Sequence, residues 1–209
     1  DTPHYKNIHD IAMISLSGAL SSAEAASKGE PSFSLMRPPG HHAGRERVAG
    51  FCYFNNLAVA CEKLWAQKSV SRIAILEIDV HHGDGTQSLM QGRPDVLFCS
   101  LHQVPLYPGT GQQSKDNCLN FPLPLGTEES AYLKTLEQAL MQIINFKPGL
   151  LAVSAGFDTY RECPIAQMKL DKKTYTRIGK MIAETGLKRF AVLEGGYAED
   201  LPILVENFL

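Results

Sequence analysis

Short apolar runs alternate along the chain with longer segments whose apolar positions recur at helical spacing. The predicted helices lie at 8–28, 57–67, 128–146 and 171–184, and Asn55 and Asn56 are placed to cap the second of them. The apolar runs lie at 33–36, 72–79, 95–101, 149–154 and 188–194. Runs of this length between helices indicate strands that are buried on both faces of a parallel sheet. The sequence therefore predicts a single α/β domain over 1–209 with helices on both faces of the sheet.

Composition narrows the class of protein. The 209 residues, with 44% hydrophobic and 20% charged side chains, are enough to bury a sizeable core. The formal net charge of -2 gives no reason to expect a nucleic-acid-binding surface, and the apolar runs are too short to span a membrane. The five cysteines are scattered and form no Cys-x-x-Cys pair, which favours reduced packing residues in a cytoplasmic protein over metal ligands.

Metal-ligating side chains are concentrated directly after the predicted strands. Asp79 ends the run 72–79 and His81 lies two residues further on, so their side chains point the same way if the strand continues through them. A catalytic metal site needs a third protein ligand, and Asp158, after the run 149–154, is the candidate. Two carboxylates and one neutral imidazole balance a divalent cation and suit zinc or iron(II). Taken alone, Asp79 could equally be a strand-end cap.

Groups suited to proton transfer follow two other runs. The doublet His41-His42 comes after the run 33–36, and histidine can act as a general base near neutral pH. Tyr197 follows the run 188–194 and could donate its hydroxyl to a developing oxyanion. A histidine doublet can also be an ordinary hydrogen-bonded loop, and Tyr197 could simply pack against the last helix. Together with the predicted ligands, these residue types favour metal-assisted hydrolysis.

Seven motifs, spread over nearly the whole chain, resemble those of the histone deacetylase and acetylpolyamine amidohydrolase superfamily. They are RPPGHHA (37–43), GFCYFNN (50–56), DVHHGDG (79–85), SLH (100–102), YPGTG (107–111), GFD (156–158) and EGGY (194–197). The pattern is closer to the class II and bacterial branch than to class I. The resemblance implies an arginase-like α/β fold and hydrolysis of an acetyl amide on a long amine.

By motif position, the resemblance also implies a role for particular residues. Asp79, His81 and Asp158 would hold zinc, with iron(II) as the alternative. His42 would be the general base and His41 its electrostatic partner and proton donor, while Tyr197 would polarise the substrate carbonyl. Asp84 would pair with His42 and Glu77 with His41. Gly50, Phe51, Tyr107 and Ile165 would line a substrate tunnel.

The chain departs from the family pattern in two places. Glu77 stands where the family has aspartate, beside a potassium site that the resemblance implies around Asp79, His81, Ser100 and Leu101; the potassium site is therefore left open. The family's N-terminal strand-helix units are lacking. The chain starts at Asp1, which resembles a residue of the substrate rim. The lacking units predict an exposed sheet edge that an oligomer or a missing segment would cover.

Several functions compete at this stage. The first is a deacetylase acting on acetyl-lysine, and the second is an acetylpolyamine hydrolase. The segment after Asp158 resembles bacterial acetylpolyamine hydrolases, whereas Ile165 also suits a lysine substrate. A third is an inactive acyl-binding or scaffolding protein. A two-manganese ureohydrolase on the same fold would need further bridging carboxylates, and the segment around Asp158 supplies only one.

Overall fold

A computed structural model describes residues 2–209, which form one six-stranded, wholly parallel sheet in the order β1-β6-β5-β2-β3-β4. The strands are β1 (Ser32–Ser34), β2 (Ile73–Glu77), β3 (Val96–Val104), β4 (Cys118–Pro124), β5 (Leu150–Ala155) and β6 (Arg189–Leu193). The helices are α1 (Ile8–Ser27), α2 (Asn56–Ala66), α3 (Asp84–Met90), α4 (Glu129–Phe146), α5 (Lys172–Glu184) and α6 (Leu201–Phe208). None of these helices is long and apolar enough to cross a membrane.

Helices cover both faces of the sheet, as the sequence predicts. Side chains alternate along β2, so Ile75 packs in the cluster that contains α1 and α2, and Leu76 packs in the cluster that contains α4, α5 and α6. Every residue of β2 and β5 is buried, which explains why these strands read as continuous apolar runs. The predicted α/β class is thus confirmed.

Local signals account for two of the helix starts. Asn55 caps α2, because its side-chain oxygen accepts the backbone N–H of Ala58 at 3.0 Å. Asn56, the other predicted cap, is instead the first helical residue, and its amide donates to Pro38 O at 3.1 Å. Asp171 and Thr174 form a capping box at α5.

Three elements were not predicted, and each has a weak sequence signal. β4 contains Pro122 and Pro124, which argue against a strand but are tolerated at the edge of a sheet, where β4 lies. α3 is seven residues long and begins inside a glycine-rich motif. α6 has a proline in its first turn and lies at the end of the sequence, where Pro202 fits because no intrahelical partner for its N–H is needed.

The prediction that a strand continues through Asp79 is wrong. β2 ends at Glu77, and Asp79 and His81 lie in the turn that follows. There the Asp79 Oδ1 atom accepts the backbone N–H of His81 at 2.9 Å, while the carbonyl oxygen of Val80 still accepts from Gln103 N of β3 at 2.8 Å. The run 33–36 is likewise shorter as a strand, because β1 ends at Ser34.

The strand order determines where a ligand can bind. From β2 the chain continues to β3 on one side, whereas from β5 it continues to β6 on the other side. The neighbouring carboxyl ends of β2 and β5 are therefore a topological switch point, where open parallel sheets place their ligands.

Candidate active site

Three predicted metal ligands meet at this switch point. His81 Nδ1 lies 2.9 Å from Asp79 Oδ1 and 3.1 Å from Asp158 Oδ2, and one ligand atom from each residue lies within 4.8 Å of the others. Both carboxylates are wholly buried, and Asp158 Oδ2 is a buried oxygen without a hydrogen-bond partner. An orphaned carboxylate oxygen aimed at two other ligand atoms fits a divalent cation.

Backbone N–H groups hold both carboxylates in place. Asp79 Oδ2 accepts from Gly195 N at 2.7 Å, and Asp158 Oδ1 accepts from Val80 N at 2.8 Å. A Cβ atom on Gly195 or Gly156 would collide with Asp79, so glycine is required for the backbone to approach this closely. The ligands are therefore positioned by the ends of β2, β5 and β6 together.

The two carboxylates favour positive charge between them. Burial lowers the pKa of His81, but the adjacent carboxylates of Asp158 and Asp79 outweigh that effect and raise the pKa to about 10. Burial and the charge of Asp79 raise the pKa of Asp158. Such an excess of buried negative charge is a property of cation sites.

The adjacent histidines have separate carboxylate partners. His42 Nδ1 lies 2.7 Å from Asp84 Oδ1, and Arg47 pairs with the other oxygen of Asp84. His41 Nδ1 lies 3.4 Å from Glu77 Oε1, a distance that describes an ion pair better than a hydrogen bond. The two rings lie 3.9 Å apart, centroid to centroid.

Their surroundings push the two histidine pKa values apart. Burial lowers the pKa of His41, but the charges of Asp79 and Glu77 overcome it and hold the pKa well above 6.5. Burial and the charge of His41 lower the pKa of His42 to about 4. The opposite directions favour a proton on His41 over one on His42, so His42 is the ring favoured to keep a free nitrogen.

A largely apolar pocket of about 220 Å³ opens above the cluster. It is lined by His42, Gly50, Phe51, His81, Leu106, Tyr107, Ile165 and Tyr197. All four predicted tunnel residues are included, and Leu106 is the lining residue that the sequence reasoning missed, although it adjoins Tyr107. Gly50 has a φ of +55°, and a Cβ there would collide with the His42 ring.

The histone deacetylase domain family matches residues 1–204 of this chain. The chain belongs to the histone deacetylase family. It is 39% identical to acetylpolyamine amidohydrolase 2 of Pseudomonas aeruginosa, over 98% of this chain and 62% of the relative. It is 43% identical to a probable deacetylase of Methanothermobacter thermautotrophicus, over 90% and 60%. The chain therefore spans about three fifths of the length of these relatives.

A solved structure supports the same conclusion about the fold. The acetylpolyamine aminohydrolase of Burkholderia pseudomallei superposes with a TM-score of 0.88 at 36% identity, covering 93% of this chain and 60% of that one. The predicted membership of the deacetylase and acetylpolyamine amidohydrolase superfamily is confirmed.

Tyr197, the predicted hydroxyl donor, lies in the wall of the pocket. Its ring lines the pocket, 6.2 Å from that of Phe51. Burial and the nearby charges of Asp79 and Asp158 raise the pKa of Tyr197 above its usual value, so the hydroxyl keeps its proton. A protonated phenol can donate a hydrogen bond, whereas a phenolate cannot.

Two further predictions concern the substrate rim and the implied potassium site. Asp1, the predicted rim residue, lies outside the described residues. Ser100, of the implied potassium site, forms a 2.9 Å hydrogen bond with His102 Nδ1. Both oxygens of the neighbouring Glu77 are buried without a hydrogen-bond partner.

The lowered pKa of His42 predicts the acid side of the pH profile. A histidine acts as a base only in its neutral form, which exists above its pKa. Because that pKa is about 4, kcat/KM should fall at a pH closer to 4 than to 6.5 as the solution is acidified. Metal content must be measured at each pH, since acid also protonates the ligands. A fall centred at 6.5 or above, with metal still bound, would contradict the assignment.

Proposed function

We propose that this chain is a metal-dependent amide hydrolase that removes the acetyl group from acetyl-lysine or a similar long acetylamine. One observation carries the proposal: Asp79, His81 and Asp158 converge beneath an apolar pocket whose walls include His42 and Tyr197. Membership of the histone deacetylase family supports the same reaction class.

Asp79, His81 and Asp158 would hold the divalent metal, with zinc as the first choice and iron(II) as the alternative. Three such donors would leave room for water or substrate, unlike a thiolate structural site. When bound, the ion supplies a Lewis acid that polarises the substrate carbonyl and acidifies water.

His42 takes the proton from the attacking water. Its Nδ1 donates to Asp84, which leaves Nε2 as the basic nitrogen. The water oxygen bonds to the acyl carbon, the amide C–N bond breaks, and the proton is delivered to the leaving amine nitrogen. Of the two histidines, His42 lines the pocket, which favours His42 over His41 for this delivery. The charge on His41 favours the neutral form of His42 beforehand.

Replacing Tyr197 with phenylalanine should test the oxyanion donor. The change removes one hydroxyl and keeps the ring against Phe51. We expect kcat to fall about 10²–10³-fold, the usual effect of losing one such donor, while metal content and KM stay close to wild type. Steady-state kinetics with metal analysis measures both. Unchanged turnover would remove Tyr197 from the mechanism.

The pocket walls set the class of substrate. Phe51, Leu106, Tyr107 and Ile165 offer carbon surface to a methylene stem, which both acetyl-lysine and an acetylated polyamine possess. A polyamine substrate is the second candidate, and the similarity to the Pseudomonas acetylpolyamine amidohydrolase favours it.

A substrate panel separates these candidates. Zinc-loaded and chelator-treated protein should be compared on acetyl-lysine peptides, acetylputrescine and acetylspermidine. The proposal expects chelator-sensitive release of acetate from at least one of them, and the ratio of kcat/KM values identifies the class. Stoichiometric metal without hydrolysis of any substrate would contradict it and support an acyl-binding scaffold.

A further inference from the structure

Two loops carry the proton-transfer groups, and a buried carboxylate joins them. The histidine loop, residues 35–43, follows β1 and contains His42; the tyrosine loop, residues 194–200, follows β6 and contains Tyr197. Glu194, wholly buried at the start of the tyrosine loop, accepts the backbone N–H groups of Gly40 and His41 at 2.7 and 3.1 Å. A side chain of one loop thus holds the backbone of the other.

A second hydrogen bond runs in the opposite direction. Arg37, in the histidine loop, donates from Nη2 to the carbonyl oxygen of Gly196 at 2.9 Å. Its guanidinium carbon lies 5.7 Å from the centre of the Tyr197 ring. Gly196, the acceptor, immediately precedes Tyr197. In the same way His41, whose N–H is held by Glu194, immediately precedes His42.

The tyrosine loop is also fixed to the body of the protein. Glu194 Oε1 accepts from Ser154 Oγ of β5 at 3.0 Å, and Gly195 N donates to Asp79 Oδ2 at 2.7 Å. A buried carboxylate is costly unless its oxygens are hydrogen-bonded, and three donors satisfy those of Glu194. The tyrosine loop is thereby positioned against both a metal ligand and the histidine loop.

We propose that Glu194 and Arg37 are positioning residues that hold His42 and Tyr197 at a fixed separation across the pocket. This inference rests on the proposed function, because the separation matters only if both groups act on one substrate. Neither side chain lines the pocket in the described part of the chain, so both act through the loops.

Variants of Glu194 separate geometry from charge. In Glu194→Gln the amide oxygen can still accept both N–H groups and the amide nitrogen can donate to Ser154, whereas Glu194→Ala removes every one of these bonds. We expect Glu194→Ala to lower kcat about hundredfold, the effect of a displacement near 1 Å, with metal content and KM retained. Glu194→Gln should recover most of that loss. Equal losses in the two variants, or a loss explained by released metal, would overturn the proposal.

Hydrogen exchange tests the connection without turnover. Arg37→Ala touches neither the Gly40 nor the His41 amide, yet it should speed exchange in peptides that cover the histidine loop. The double variant Arg37→Ala/Glu194→Ala should lose less activity than the product of the single effects, because both changes disturb one geometry. Unchanged exchange in Arg37→Ala, or multiplicative losses, would overturn the proposal. If the wild type hydrolysed no substrate while Arg37→Ala still sped exchange in the histidine loop, the result would instead contradict the proposed function.

Discussion

Asp158→Asn should abolish metal binding and hydrolysis together. The asparagine oxygen can still accept the N–H of Val80, so the local backbone has a reason to keep its shape. The variant loses the charge of the Oδ2 atom that faces His81 Nδ1 at 3.1 Å, however, and places an N–H donor there when the oxygen keeps its bond to Val80. Because losing a group that merely supports a ligand already weakens metal binding about 10–100-fold, losing a ligand should cost at least about 100-fold. Chelator competition measures the affinity, and metal analysis measures the occupancy.

Asp84→Asn is the matched control for this variant. It makes the same chemical change in the same site, but Asp84 contacts His42 and Arg47. We expect it to retain the metal and lower kcat, since the proton on His42 Nδ1 loses its charged acceptor. Unchanged metal affinity in Asp158→Asn would show that the third ligand is wrongly assigned.

His42→Ala should leave the metal bound and nearly stop the reaction. Removing a positioned general base costs about 10²–10⁴ in rate, because water must then lose its proton without a partner at the right distance. The acid limb of the pH profile should disappear with it, since the titrating group is gone. Steady-state and single-turnover rates, measured on protein of known metal content, give the loss in the chemical step.

His9→Ala provides the comparison for that variant. His9 is an exposed histidine on α1, and the centre of its ring lies 5.9 Å from that of Phe54. It should behave as wild type in rate and pH profile. If His42→Ala kept near-wild-type turnover, another group would have to be the base, and the protonated His41 would be the first to test.

The regular elements of the core could be predicted because their signals are local. β2, β5 and β6 read as apolar runs since both of their faces are buried, and α4 and α5 show helical periodicity. β4 could not be predicted, because its two prolines are tolerated only by virtue of its edge position, which depends on the other strands.

Part of the candidate site could likewise be predicted from the sequence, and part could not. Residue types and motifs made Asp79, His81 and Asp158 candidate ligands, but the strand that would have put the first two on one face ends before Asp79. They converge through a turn held by the Asp79 side chain, and not through strand alternation. Leu106 lines the pocket in the folded chain, although no motif in the sequence marks it.

By itself, the sequence determined the α/β class, the family and the residue types of a candidate metal site, because periodicity and motifs are written in consecutive residues. Tertiary structure alone decided that the pKa of His41 is raised while that of His42 is lowered, since that difference depends on burial and on carboxylates from other parts of the chain. It also decided that Glu194 binds the histidine loop, across 154 and 153 positions of the chain. Contacts at such sequence separations follow from strand order, which no local pattern encodes.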